Sequence, residues 1–321
     1  MKSYKFLFSV LLLTGVSFVL APAASAQDKQ AEYQKQLEEY KRKKAEIEAK
    51  NAEKAKELER IKRENRKKKA YNDGNRALRV RKYREAIAKY DEALSIDDCF
   101  APALHGKGQA YYRMRKYRPA VEQFTKAVGC NPQDFKSYWW LGNTYQKLGK
   151  YDDAISAHNK AIEINPNYEK AYYSLGTIYL SKKKNFKKAE DAFRQATEVN
   201  PNYAKAFGAL GDALDNQGKS SAAIEAYKKS AAIKKDARVL YRLAAVYNKL
   251  GKPGLALKAA QDALKVKANY APALFEAGVA AKVMKNYTQA ITYFEKAAKD
   301  RTWRKNANWE IEDIKLKMKS E

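Results

Sequence analysis

The chain has 321 residues, with 64 lysines and arginines against 37 aspartates and glutamates, for a net charge of +27. Two cysteines exclude the disulfide scaffold of a small secreted fold, and the excess charge points to anionic partners such as acidic peptides, lipid head groups, wall polymers or nucleic acid. Length alone leaves open two compact domains or a stacked solenoid, since a solenoid grows by adding layers and not by radius.

The first element in chain order is a signal. Lys2 and Lys5 precede an apolar run from Phe6 to Leu20, and small residues fill 21–26, ending in Ala24, Ser25 and Ala26. This is the pattern of a secretory signal peptide over 1–26, cleaved after Ala26; the apolar run is shorter than the roughly 20 residues of a membrane span. No cysteine follows that point to take a lipid, and no later segment is apolar enough to span. Export is therefore expected, to a bacterial periplasm or outside the cell, which makes nucleic acid the least expected of the anionic partners.

From Gln27 to about Lys69 there is no proline or glycine, and strong helix formers dominate, so one long charged helix is predicted over 27–66. Along it Tyr33, Leu37, Tyr40, Lys44, Ile47, Asn51, Lys54, Leu58, Ile61 and Asn65 alternate in steps of four and three. That is a coiled-coil seam weakened by its polar members, compatible with a marginal dimer or trimer or with a lone charged helix.

Beyond residue 66 the chain repeats itself. Ala86, Ala120, Ala154, Ala189, Ala223, Ala256 and Ala290 mark seven units of 33 to 35 residues. Tyr138, Leu141, Gly142, Tyr145, Ala154, His158, Ala161 and Pro166 stand in one unit; Tyr172, Leu175, Gly176, Tyr179, Ala189, Phe193, Ala196 and Pro201 stand in the next. Small residues let two helices cross closely, rings fill the wider gaps, and the prolines end the second helix. Gly149, Gly218 and Gly251 fall where the two helices of a unit turn. With these marks the chain resembles the tetratricopeptide-repeat family over about 67–304.

The resemblance implies an all-α, right-handed solenoid of helix-turn-helix repeats at 67–100, 101–134, 135–168, 169–203, 204–236, 237–270 and 271–304. The first repeat is degenerate, with Asp73 and Ala77 in positions usually apolar and aromatic, and the fifth and sixth lack the closing proline. Trp303, Ala307, Ile311, Ile314 and Met318 then recur at helical spacing, as a capping helix over 305–321 should. Cys99 and Cys130 fall near the ends of consecutive repeats, where they either pair or remain as two buried thiols.

In this family the first helix of each repeat, helix A, lines a concave groove that holds an extended peptide. The fifth helix-A position reads Tyr71, His105, Trp139, Tyr173, Gly208, Tyr241 and Phe275, an aromatic column interrupted at the glycine. Four residues on, hence on the same face, come Asn75, Gln109, Asn143, Thr177 and Asp212. The second position supplies Lys68, Lys136, Lys170, Lys205 and Arg238. Rings would take side chains, amides would grip a peptide backbone, and cations would favour an acidic ligand. Trp139 beside Trp140 is the strongest candidate pair, because both cannot easily face inward. Packing between neighbouring repeats is the competing role for the column.

Enzymatic motifs are absent: there is no glycine-rich phosphate loop, histidine pair at zinc spacing, or nucleophile elbow, so no catalysis, metal or cofactor is expected. His158 takes a slot filled by phenylalanine in other repeats and is expected to be a packed core residue. Some family members clamp the C-terminal carboxylate of cytosolic chaperones; the matching positions here are Tyr71, Asn75, Gly106, Lys136 and Trp140, which lack most of that clamp. The expected function is an exported adaptor that holds protein partners or acidic segments in its groove, with possible association of copies through 27–66. The alternatives are an electrostatic binder of anionic envelope polymers or membrane surfaces, and an accessory subunit of an envelope enzyme.

Overall fold

Alanine and glycine at fixed spacing, with one ring per repeat, dictate how the helices pair in the computed structural model, which describes residues 26–320. The expected signal segment lies outside the described residues except for Ala26. The chain divides into two units, one up to Arg66 and one from Lys67.

The first unit is helical from Ala26, as part of α1 (Ala26–Arg79). Tyr33, Tyr40, Ile47, Leu58 and Ile61, the apolar members of the seam, are exposed. Its charges pair along the helix, with Lys43 Nζ 2.7 Å from Glu39, Arg60 Nε 2.8 Å from Glu57 and Lys62 Nζ 2.7 Å from Glu59. Such pairs each add only a few tenths of a kcal/mol, so this stretch owes its helicity mainly to composition.

In the second unit, residues 67–79 of α1 serve as the first helix A and pair with α2 (Tyr83–Leu94). Neither proline nor glycine occurs from Gln27 to Asp73, so nothing in the sequence ends a helix at residue 66. The pairs α3 (Ala101–Arg113) with α4 (Tyr117–Cys130), α5 (Phe135–Lys147) with α6 (Tyr151–Ile164), and α7 (Glu169–Ser181) with α8 (Phe186–Val199) follow. Then come α9 (Ala204–Asp215) with α10 (Ser220–Ile233), α11 (Ala237–Lys249) with α12 (Pro253–Val266), α13 (Ala271–Val283) with α14 (Tyr287–Ala298), and last α15 (Arg304–Ser320). From α2 onward each helix packs on the next, and Gly74 of α1 lies against Tyr90 of α2. Helices A also touch across repeats, α3 with α5, α5 with α7, α7 with α9 and α11 with α13, which puts them on the tighter, inner side of the stack.

One device closes six of the seven pairs. A ring on helix B (Tyr90, Phe124, Phe193, Tyr227 or Phe294, with His158 in the third repeat) lies directly over a glycine on helix A. A Cβ on Gly176 would stand 2.6 Å from Phe193 Cε1, closer than packed carbons approach, so the glycine makes room for the ring. The sixth repeat reverses both choices together: Ala260 replaces the ring, Ala244 replaces the glycine, and both are fully buried. The volume removed from helix B is partly returned on helix A.

Every turn between helices A and B contains a left-handed residue, as a helix C-terminus commonly does. Gly149, Gly218 and Gly251 supply it at φ 76°, 75° and 65°; elsewhere Arg81, Arg115, Lys184 and Lys285 do so at φ 63°, 60°, 52° and 61°. Between repeats, the asparagine ahead of the closing proline makes a side-chain turn: Asn165 Oδ1 accepts from Asn167 N at 3.0 Å, and Asn200 Oδ1 from Asn202 N at 3.0 Å. This accounts for the recurring Asn-Pro-Asn-Tyr phrase at both loops. Cys99 and Cys130 are joined as a disulfide, with Cα atoms 5.3 Å apart.

Ala307, Ile311 and Ile314 of α15 are buried against Leu274 and Phe294, covering the last repeat. Trp303 is half-buried, whereas Met318, expected on the same stripe, is exposed because the contact ends one turn earlier. Among the described residues no helix is long and apolar enough to cross a membrane.

Candidate functional site

The aromatic column occupies the inner face of helices A, and each member is half-buried except for Gly208, which has no side chain to expose. The reason is a second column that the sequence reading missed. Phe100, Tyr168, Tyr203 and Tyr270 stand immediately before a helix A, with Trp303 in the matching place before α15. Each meets a ring of the preceding repeat: Tyr71 with Phe100 at 5.3 Å between centroids, Trp139 with Tyr168 at 5.7 Å, and Tyr173 with Tyr203 at 5.2 Å. Tyr241 meets Tyr270 at 5.4 Å and Phe275 meets Trp303 at 4.9 Å. Such pairs contribute about 0.5–1.5 kcal/mol beyond their burial, so the column serves cohesion between repeats while leaving part of each ring open. Reading the residue before each helix A in register with the repeats would have revealed it.

Trp139 and Trp140 contact each other at 5.2 Å, and both are half-buried. Trp140 stacks on Phe124 at 6.1 Å, and Trp139 donates its Nε1–H to Ser174 Oγ at 3.0 Å. The polar edge of Trp139 is thus satisfied from within.

The side chains expected to grip a ligand backbone are also engaged within the protein. Asn75 Oδ1 accepts from Tyr90 Oη at 2.7 Å, Gln109 Nε2 lies 2.7 Å from His105 Nε2, and Thr177 Oγ1 donates to Tyr173 O at 2.8 Å. Asn143 Oδ1 is 3.4 Å from Ser174 Oγ, the loosest of these contacts.

His105 replaces a ring in the column, and its partner before the next helix A is Asp134 instead of a ring. Its Nδ1 lies 2.6 Å from Ser137 Oγ, which in turn donates to Asp134, whose carboxylate also caps α5. Burial draws the His105 pKa below the ordinary imidazole value, against the pull of Asp134 and with the push of Lys136. The hydroxyl lies between histidine and aspartate with no open face, so this arrangement is a polar tie between repeats, not a nucleophile with its base.

The cations of the second position behave differently. Lys136, Lys170 and Lys205 are exposed and have no carboxylate partner among the described residues, while Lys136 and Lys170 lie 5.7 and 6.0 Å from the rings of Phe135 and Tyr168. Arg238 is exposed and reaches Asp236 at 3.5 Å.

At Gly208 both columns fail together: the inner face has no side chain, and the residue before α11 is Asp236. A pocket of about 150 Å³ opens there between Tyr173 and Tyr241. It brings together the predicted Tyr173, Lys205, Arg238 and Tyr241, and adds Lys234 and Arg242, which the sequence did not single out. Asp212 lies on its wall, accepting from Tyr227 Oη at 2.7 Å and pairing with Arg242 Nη1 at 2.8 Å. Burial pushes the Asp212 carboxyl upward, and Arg242 opposes the shift. Tyr71, Asn75, His105, Gln109 and the tryptophans belong to earlier repeats and do not reach this pocket.

Models of the tetratricopeptide repeat match residues 101–134, 138–168, 173–238, 237–270 and 271–299. No match among curated proteins is found. Among solved structures, PilF of Pseudomonas aeruginosa is 17% identical, with 66% of this chain and 96% of that one covered at a TM-score of 0.58. The Cut9–Hcn1 hetero-tetramer of the APC/C is 18% identical, with 72% and 48% covered and a TM-score of 0.54. YrrB, described as a tetratricopeptide protein with an unusual peptide-binding site, is 26% identical over 53% of this chain and 87% of that one, at a TM-score of 0.46.

Proposed function

Since the chain belongs to the tetratricopeptide-repeat family, a protein-interaction scaffold fold, we propose that it is an exported, non-enzymatic adaptor whose inner groove holds an acidic segment of a partner protein. The observation that carries this reading is the run of exposed lysines without a carboxylate partner, Lys136, Lys170 and Lys205, on successive helices A, the first two lying near the rings of Phe135 and Tyr168. Lys126, Lys160, Lys187 and Lys228 on helices B pair with a carboxylate along their own helix, whereas these three on helices A do not, so the row is suited to an anion supplied from outside. Export rests on the sequence of 1–26, and the Cys99–Cys130 bond suits an oxidising compartment. A bacterial periplasm is the proposed location.

Self-association through 27–66 belongs to the same proposal and is supported by the exposed Tyr33, Tyr40, Ile47, Leu58 and Ile61. Binding of anionic polymers or membrane surfaces by spread charge is the second reading, favoured by the net charge of +27.

Salt separates the two. The screening length falls from about 10 Å at 0.1 M salt to about 3 Å at 1 M, so retention of a polyanion by spread charge should collapse, whereas partner binding that buries rings should survive in part. Replacing Trp139 and Tyr173 with alanine should cut partner binding about tenfold or more and leave retention on a polyanion column unchanged. If both substitutions leave partner binding intact while 1 M salt removes it, the groove reading fails and the charge reading stands.

A further inference from the structure

The ring ladder of the inner face has one opening, and its chemistry differs from the rest of the groove. Tyr173 above and Tyr241 below keep their partners Tyr203 and Tyr270, but between them Gly208 offers no ring and Asp236 offers none in return. Across α9 and α11 the approach is made instead by Val239 beside Gly208 and by Arg242 to Asp212. The ladder lacks both rings of one pair here, and Val239 takes up part of that space beside Gly208. A cavity of about 150 Å³ is the size that holds a benzene-like group.

The rim sets the charge of the guest. Four cations (Lys205, Lys234, Arg238 and Arg242) face two acids, Asp212 and Asp236. Both acids are committed: Asp212 to Tyr227 and Arg242, and Asp236 to the backbone N–H of Arg238 at 2.8 Å as the cap of α11. Lys205 and Lys234 have no carboxylate partner among the described residues, so the surplus positive charge belongs to the rim.

We infer that the Gly208 pocket receives an aromatic side chain of the partner segment, entering the gap in the ring ladder, while acidic residues on either side of that ring meet Lys205 and Lys234. This rests on the groove reading and names the residue that anchors it. Alternative acidic ligands without a ring would leave the gap between Tyr173 and Tyr241 filled with water and lose the apolar part of the binding.

The test titrates the full chain lacking residues 1–26 with the blocked peptide acetyl-EEFEE-amide, alongside acetyl-EEAEE-amide and acetyl-QQFQQ-amide. The first should bind, and removal of either the ring or the charge should weaken binding about tenfold or more. Lys205→Glu with Lys234→Glu should weaken the first peptide by a similar factor, and both sites are exposed, so folding is unaffected. Gly208→Val should block the pocket; because a Cβ there would already lie 3.0 Å from Val239 Cγ2, the charge variant serves as the arm that cannot fail through misfolding. No binding of acetyl-EEFEE-amide, or binding of acetyl-EEAEE-amide within about twofold of it, overturns the inference. In either case the groove reading is judged separately, by the effect on partner binding of Trp139→Ala, which lies outside this pocket.

Discussion

The His158→Phe variant is expected to be more stable than the parent, with a margin that grows as the pH falls. His158 is fully buried on α6 in a slot that holds a phenylalanine or tyrosine in five other repeats, and its Nδ1 has no hydrogen-bond partner. An unpaired buried polar atom costs about 1–3 kcal/mol, which the phenylalanine removes at neutral pH. Burial alone draws the imidazole down to about 3 in the folded chain, against 6.5 for an exposed histidine. Between these values the unfolded chain takes up a proton that the folded chain refuses, so parent stability is retained above pH 6.5 and lost as the pH falls toward 3. At about 1.4 kcal/mol per unit, the added margin of the variant at pH 4 comes to about 3 kcal/mol. Urea unfolding of both proteins at pH 7, 5 and 4 measures it; a margin that stays constant across the three contradicts the burial of an uncharged ring. The His105 contribution is common to both proteins and cancels.

The second expected result concerns the ring-over-glycine device. Phe193→Ala should cost about 3–5 kcal/mol, because a fully buried ring is lost from the largest core cluster. Gly176→Ala should also destabilise the parent, by about 1–3 kcal/mol, since its new methyl would press on Phe193. In the Phe193→Ala background the sign of the same glycine change should invert. The methyl then enters vacated space, as the Ala244–Ala260 pair of the sixth repeat does, and alanine is the better helix former by about 1 kcal/mol. Unfolding midpoints of the four proteins give the coupling. A Gly176→Ala effect of the same sign in both backgrounds would show that the glycine is not there for the ring.

How far the sequence reveals this protein varies by feature, for physical reasons. Stacked helix pairs are legible because alanines at a period near 34 residues and glycines at turns are local requirements of close crossing and of positive φ. The turns at Arg81, Arg115, Lys184 and Lys285 are not legible, since a basic residue forced into that conformation looks like any solvated lysine or arginine. Helix A of the first repeat merges into α1 because nothing between Gln27 and Asp73 breaks a helix.

For the site, periodicity places Tyr71, Trp139, Tyr173 and Tyr241 on one face but cannot say that the next repeat partly covers each of them. The amides illustrate the same limit: sharing a face with the rings does not reveal that Asn75 is held by Tyr90 and Gln109 lies against His105. The interruption at Gly208 is plain in the sequence, whereas the pocket depends on Asp236 standing where the other repeats place a ring and on the reach of Lys234 and Arg242. Lys234 comes from a repeat one residue shorter than most, and Val239 at the start of the next stands against the glycine.

Site-directed photocrosslinking tests the adaptor claim most directly. A photoreactive residue is placed in turn at Lys136, Lys170 and Lys205 on helices A and at Lys126, Glu163 and Lys229 on helices B, all exposed. The account predicts that one and the same partner is captured from the three helix-A positions and from none on helices B. Equal capture from both sets, or capture from helices B alone, would contradict it.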